Sequence, residues 1–182
     1  MLQYIYTRPL WQIWVALLVS PILWAALRRA LGARYRKVWL GINILLAAFS
    51  LAGIFAATLA GRTGGRGELV LRPLADLGEN PERLRMLLMN GLLFEPLGLG
   101  LPELLPHTWS GGKRFLLTVL AACILSLCLE SAQYHWGLGR AETDDVIMNT
   151  LGAAFGSLGI FFQGRNQGGS KAKSGGLPKS GK

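Results

Sequence analysis

Five stretches of the chain are dominated by apolar residues, at about residues 10–27, 38–60, 86–105, 115–133 and 145–162. Each approaches the length of about 20 residues that a helix needs to cross a bilayer core of ~30 Å. The first, "LWQIWVALLVSPILWAAL", places Trp11, Trp14 and Trp24 towards its ends as interfacial anchors and Pro21 as a point of kinking. It lacks a strongly basic start, and "RR" follows it where a cleavage site would stand, so it reads as a retained helix. The second, Val38 to Ala60, is the cleanest. The third, "MLLMNGLLFEPLGLGLPELL", carries Asn90, Glu95, Pro96, Pro102 and Glu103 and is predicted to be broken or partly re-entrant. The pattern predicts an all-α fold, a polytopic membrane bundle of about five transmembrane helices filling one domain over residues 1–163. The remaining residues, 164–182, are rich in Gly, Ser and Lys, and that composition predicts a disordered basic tail.

Composition agrees with the pattern. Hydrophobic residues make up 51% of the 182, and charged residues only 16%, against about 25% in soluble domains. The net charge is +9, from 19 Lys and Arg against 10 Asp and Glu. Nucleic acid is not the expected partner, because the positive charges sit between apolar runs, as topology signals do. Residues 28–37, "RRALGARYRK", hold five of them, Lys113 and Arg114 two more, and the tail carries Arg165, Lys171, Lys173, Lys179 and Lys182. With five spans these three segments share one side, predicted to be the cytoplasm. The amino terminus and the loops at 61–85 and 134–144 then lie outside. The 61–85 loop has five Arg, accompanied by Glu68, Asp76, Glu79 and Glu82. Cys123 and Cys128 are five apart on different helical faces, so they are not expected to pair with each other.

Polar residues crowd one junction, "ESAQYHWGLGRAETDDVIMNTLG" at 130–152, between the fourth and fifth apolar runs. Glu130 and Gln133 are three apart and share a helical face, as do Asp145 and Asn149, four apart. Asn90, one turn into the third helix, falls at a similar depth, and Arg140 lies in the loop between. Asn90, Glu130, Gln133, Arg140, Asp144, Asp145 and Asn149 are the candidate ligand-binding residues. Glu130, Asp144 and Asp145 could hold a divalent cation that bridges to phosphate. Arg140 could pair with a carboxylate or hold a phosphate in a fork. Structural readings stand beside these: Asp144 as a helix N-cap, Asn149 as interhelical glue, Arg140 as a solvated charge or as the partner of Glu130. Tyr134 and Trp136 read as belt aromatics, and His107 and His135 as interfacial loop residues. The fifth helix also carries Gly152, Gly156 and Gly159, and the GxxxG spacing of the first two would let it approach the third or fourth closely.

The ordered set of motifs resembles the VanZ-like family of bacterial membrane proteins over about residues 70–160. The matching positions are Asn90, Leu93, Phe94, Pro96 and Gly98, then Glu130, Gln133, Gly139, Arg140, Asp144, Asp145, Asn149, Thr150 and Gly152. Glu142 stands where the family usually has the first Asp of an acidic patch, and Glu95 where an apolar residue is common. The resemblance implies a bacterial inner (plasma) membrane protein, and the founding member is associated with low-level resistance to teicoplanin at the cell envelope. Three readings follow. The first is a binding protein for an anionic lipid head group, a lipid-linked precursor or a glycopeptide at the outer leaflet. The second is an enzyme acting on a lipid-linked phosphate, for which the chain offers no Ser/His/Asp set, P-loop or HExxH. The third is a structural or accessory subunit of a membrane complex.

Overall fold

The computed structural model describes residues 10–32, 34–59, 67–73 and 81–163. The expected disorder of the tail, and Asp76 and Glu79 in the 61–85 loop, lie outside the described residues. Helix α1 (Leu10–Leu27) ends in a π-helical turn (Arg28–Gly32), and α2 (Arg36–Leu59) follows. After the short strand β1 (Glu68–Val70) come α3 (Pro81–Leu104), α4 (Gly111–His135), strand β2 (Arg140–Glu142) and α5 (Thr143–Ser157). A 3-10 turn (Leu158–Gln163) extends α5. Five helical stretches are long and apolar enough to cross a membrane, so the chain is a multi-pass helical bundle.

The bundle reverses the usual division of inside and outside. Large apolar side chains such as Leu23, Leu45, Phe49 and Ile124 are exposed, whereas Asn43, Ser50, Thr118, Ser126 and Ser157 are buried. Lipid tails give apolar side chains no reason to leave the surface. Helices in a membrane associate instead through close packing of small residues and interhelical hydrogen bonds. Helix α3 takes the centre, with α5 and α2 packed most extensively against it and α1 and α4 beside them. Backbones nearly touch where α3 crosses α5: a Cβ on Gly98 would collide with the Ala153 carbonyl, and one on Gly152 with the Gly91 carbonyl. The close approach expected of the α5 glycines is thus made to α3.

Three expectations are corrected. Helix α3 is neither broken nor re-entrant but runs uninterrupted through Pro96 and Pro102. Each proline removes only its own N–H from the helical ladder, and a membrane helix tolerates that loss; the Pro102 carbonyl, left open in the last turn, accepts two bonds from the Arg114 guanidinium, at 2.9 and 2.7 Å. The helix also begins earlier than expected, with Pro81 at its first position and Glu82 in its first turn, both favourable at a helix start. Trp24 is not a lipid-facing anchor; its ring packs on Trp39 at 4.9 Å between centroids. Trp11 and Trp14 do remain exposed.

The sequence pattern carried no sign of the strand pair. Strands β1 and β2 pair in parallel, with Glu68 opposite Arg140 and Val70 opposite Glu142. This ribbon lays the chain before α3 across the end of α4 and so closes one rim of the polar junction.

Candidate functional site

The junction is organised by the way α4 stops. Gly137 has φ 63°, in the left-handed region that suits glycine. Its amide donates to the Tyr134 carbonyl at 3.3 Å, and the Leu138 amide donates to the Gln133 carbonyl at 2.8 Å. This Schellman arrangement satisfies the last carbonyls of α4 and turns the chain back. Residues 140–142 then run extended as β2, and Glu142 occupies the cap of α5 at φ −125°, ψ 132° without a side-chain capping bond. Asp144 is therefore not the N-cap. The strand carries the chain straight into a helix that starts at Thr143, which places Asp144 and Asp145 in the first turn, where a negative charge meets the helix dipole favourably.

Two carboxylates and an arginine meet at the centre. Glu130, buried near the end of α4, accepts the Glu142 backbone N–H at 2.9 Å. Glu142, also buried, pairs through its carboxylate with the Arg83 guanidinium of α3. The same guanidinium reaches Asp144 at 3.4 Å. Arg140 lies exposed on the rim, its Nε 3.4 Å from Glu142 and 3.6 Å from Glu68. Three helices and the ribbon thus converge through Arg83, Glu130, Glu142, Asp144 and Arg140.

The other candidates take different directions. Gln133 is buried and donates to the Thr58 carbonyl of α2 at 3.3 Å. Asn149 donates to Ser126 Oγ at 2.9 Å, which bridges α5 to α4 one turn below Glu130, the glue expected of it. Asn90 and Asp145 are half-buried on α3 and α5. Among the described residues no group of three or more His, Cys, Asp or Glu is arranged to hold a metal ion, and Glu130, Asp144 and Asp145 do not form one. Tyr134 and Trp136 are exposed as belt aromatics would be. His135 closes α4 rather than lying in a loop.

Sequence reasoning missed Arg83. Its only signal was its place among Glu82 and Arg85 ahead of an apolar run, where it looked like a loop charge. Glu142 stood out among the polar residues of the junction and as a departure from a family pattern but was not among the candidate site residues, yet its carboxylate ties α3 to the rim.

Beside this network lies a groove of about 480 Å³. Its lining is mostly apolar, with Leu69, Leu71, Leu127 and Val146, and takes in Glu130 and Glu142. A second hollow of about 450 Å³ shares Leu127, Ser131 and His135 with it and continues along the face of α4. The pair offers an apolar track with a charged, hydrogen-bonding end, a shape suited to an amphiphile.

A second polar network holds the opposite end of the bundle, and it too was not foreseen. Glu103 of α3, almost fully buried, pairs with Arg28 at the end of α1 and accepts Trp39 Nε1 of α2 at 3.2 Å. Arg114 of α4 lies 3.9 Å from the same carboxylate, and Arg29 donates to the Phe162 carbonyl after α5. Midway, Glu95 is buried and accepts the Ser20 hydroxyl of α1.

No curated protein and no solved structure matches the chain. The VanZ/LLP1 family model matches residues 13–163, which takes in α1 and α2 as well as the motif-bearing half, and the chain belongs to that family.

Proposed function

We propose that this protein binds an amphiphilic component of the bacterial cell envelope at the polar junction. The ligand class is an anionic lipid head group, a lipid-linked precursor or a glycopeptide, and the role is a contribution to glycopeptide resistance. In this reading the protein sits in the plasma membrane with its amino terminus outside and its carboxyl terminus in the cytoplasm. The junction then faces the outer leaflet, where such ligands are met.

The observation that carries the reading is the groove lined by apolar residues from α4, α5 and the β1 segment together with Glu130 and Glu142. A hydrophobic tail lies against Leu127, Leu69 and Val146, and the polar head meets the junction. Arg140, exposed on the rim, supplies a fork of donors to a carboxylate or phosphate on that head. Glu142 and Arg83 hold the rim in place, and the Glu130 carboxylate, which lines the groove, accepts a hydrogen bond from a donor on the head.

The test is saturable binding to the purified protein in nanodiscs, with teicoplanin and a polyprenyl-phosphate-linked precursor as probes. Ser131 lines both hollows and is exposed, so Ser131→Trp fills the track without touching the ion pairs. At least one probe is expected to bind, with binding lost in Ser131→Trp and weakened at least tenfold in Arg140→Ala. Absence of binding by either probe, or full binding in both variants, overturns the reading.

A further inference from the structure

The end of the bundle away from the junction carries a charge imbalance that its own ion pairs do not cancel. Arg28, Arg29, Arg34, Arg36, Lys37, Lys113 and Arg114 lie there, and Glu103 is the only carboxylate at that end among the described residues. Glu103 is already engaged by Arg28, Trp39 and Arg114. Arg36 opens α2 three residues before Trp39, so it stands on the Trp39 face one turn nearer the membrane surface. Lys113 opens α4 beside Arg114 and holds its ammonium 4.0 Å above the Trp109 ring. Arg36 and Lys113 are exposed, Arg28 is half-buried, and Arg114 is buried. His107, in the link between α3 and α4, feels this field. Burial holds its imidazole below the usual histidine value, and the charges of Arg114, Arg28 and Arg36 push the same way.

Apolar side chains ring the cluster. Leu27, Val38, Leu40 and Leu116 are all exposed, at the level where the spans end. An occupant must therefore bring negative charge on a polar head and hydrocarbon below it.

We propose that Arg28, Arg36, His107, Lys113 and Arg114 form a head-group site for an anionic phospholipid, whose phosphate supplies the negative charge that Glu103 alone does not. The exposed Arg36 and Lys113 close on the phosphate from two helix starts, where backbone N–H groups also favour an anion. The acyl chains lie against Val38, Leu40 and Leu116. The ligand's charge joins α2 to α4, so lipid composition stabilises this end of the bundle.

The test compares the protein in nanodiscs of phosphatidylcholine alone with nanodiscs containing phosphatidylglycerol, by titrating the histidine ring signals in NMR. The chain has 2 histidines, and His135 at the opposite end reports the general effect of a charged membrane surface. A phosphate seated beside His107 raises its pKa in phosphatidylglycerol by about one unit beyond the change seen at His135. In Arg36→Gln/Lys113→Gln, which removes two exposed cations and no ion pair of Glu103, that excess disappears. Equal changes at the two histidines, or an undiminished excess in the double variant, overturns the proposal.

Discussion

The two ends of the bundle are built to opposite plans. At the junction, acids outnumber bases: Glu68, Glu82, Glu130, Glu142, Asp144 and Asp145 face Arg72, Arg83, Arg85 and Arg140 among the described residues. At the other end one buried acid, Glu103, is gripped by two arginines and a tryptophan. The junction is assembled around a turn and a strand pair, and it adjoins an apolar groove. The Glu103 network ties α1, α2, α3 and α4 together. A buried charge costs several kcal/mol unless its partners are in place. The buried Glu103 network, the sealed end, is therefore where stability is concentrated, and the grooved end is where polar groups adjoin an apolar track for the proposed amphiphile.

The largest effect is expected where the sealed end is opened. Arg114→Ala removes a guanidinium that satisfies the Pro102 carbonyl and faces Glu103. A loss of about 3–5 kcal/mol should appear as a sharp fall in melting midpoint in detergent. A midpoint within a degree or two of the wild type would move the anchor of the fold elsewhere.

Gly152→Leu comes next. It drives a side chain into the Gly91 backbone between the two ends and should cost about 1–3 kcal/mol. It should also separate α3 from α5, which weakens the Arg83–Asp144 contact and ligand binding together. Crosslinking of cysteines placed on α3 and α5 would show whether the helices part.

Arg140→Ala sharpens the comparison from the other side. Its guanidinium is exposed, 3.4 Å from the buried Glu142, which Arg83 also pairs, and 3.6 Å from the exposed Glu68, so stability should change by less than about 1 kcal/mol while binding falls. A large drop in melting midpoint would make Arg140 a structural residue.

The smallest effect concerns pH. His107 has its folded-state value held below the usual one by burial, with Arg114, Arg28 and Arg36 adding to it. Its neutral form is favoured, so its contribution to stability is complete above the usual histidine value. That contribution is lost as pH falls through the lowered folded-state value. A melting series between about pH 8 and about pH 5 should show this decline in phosphatidylcholine, and His107→Gln should flatten it.

Much of the fold was legible because a membrane span announces itself by length alone. The five apolar runs and the five helices coincide to within a few residues, and the Gly152 and Gly156 spacing pointed to the close crossing that α5 makes with α3. Helix starts were less legible. Charges at Glu82, Arg83 and Arg85 masked the first turn of α3, and the strand at 140–142 moved the start of α5 ahead of Asp144. In the junction, Glu130, Arg140 and Asp144 lie within fifteen residues of one another, so local spacing could gather them. Arg83 reaches Glu142 across 59 positions, and Glu103 meets Arg28 and Trp39 from α1 and α2. Partners so distant in sequence are chosen by helix packing, and no periodicity within a single helix encodes them.

The most direct test of this division of labour is a matched pair of isosteric variants, Glu130→Gln and Glu103→Gln, each assayed for melting midpoint and teicoplanin binding in nanodiscs. Glu130→Gln keeps an oxygen for the Glu142 amide and should melt near the wild type while losing most of its binding. Glu103→Gln strands two arginines and should melt far lower, yet bind normally at temperatures where it remains folded. The reverse outcome, with Glu130→Gln unfolding and still binding or Glu103→Gln stable and unable to bind, would contradict the assignment of function to one end and stability to the other.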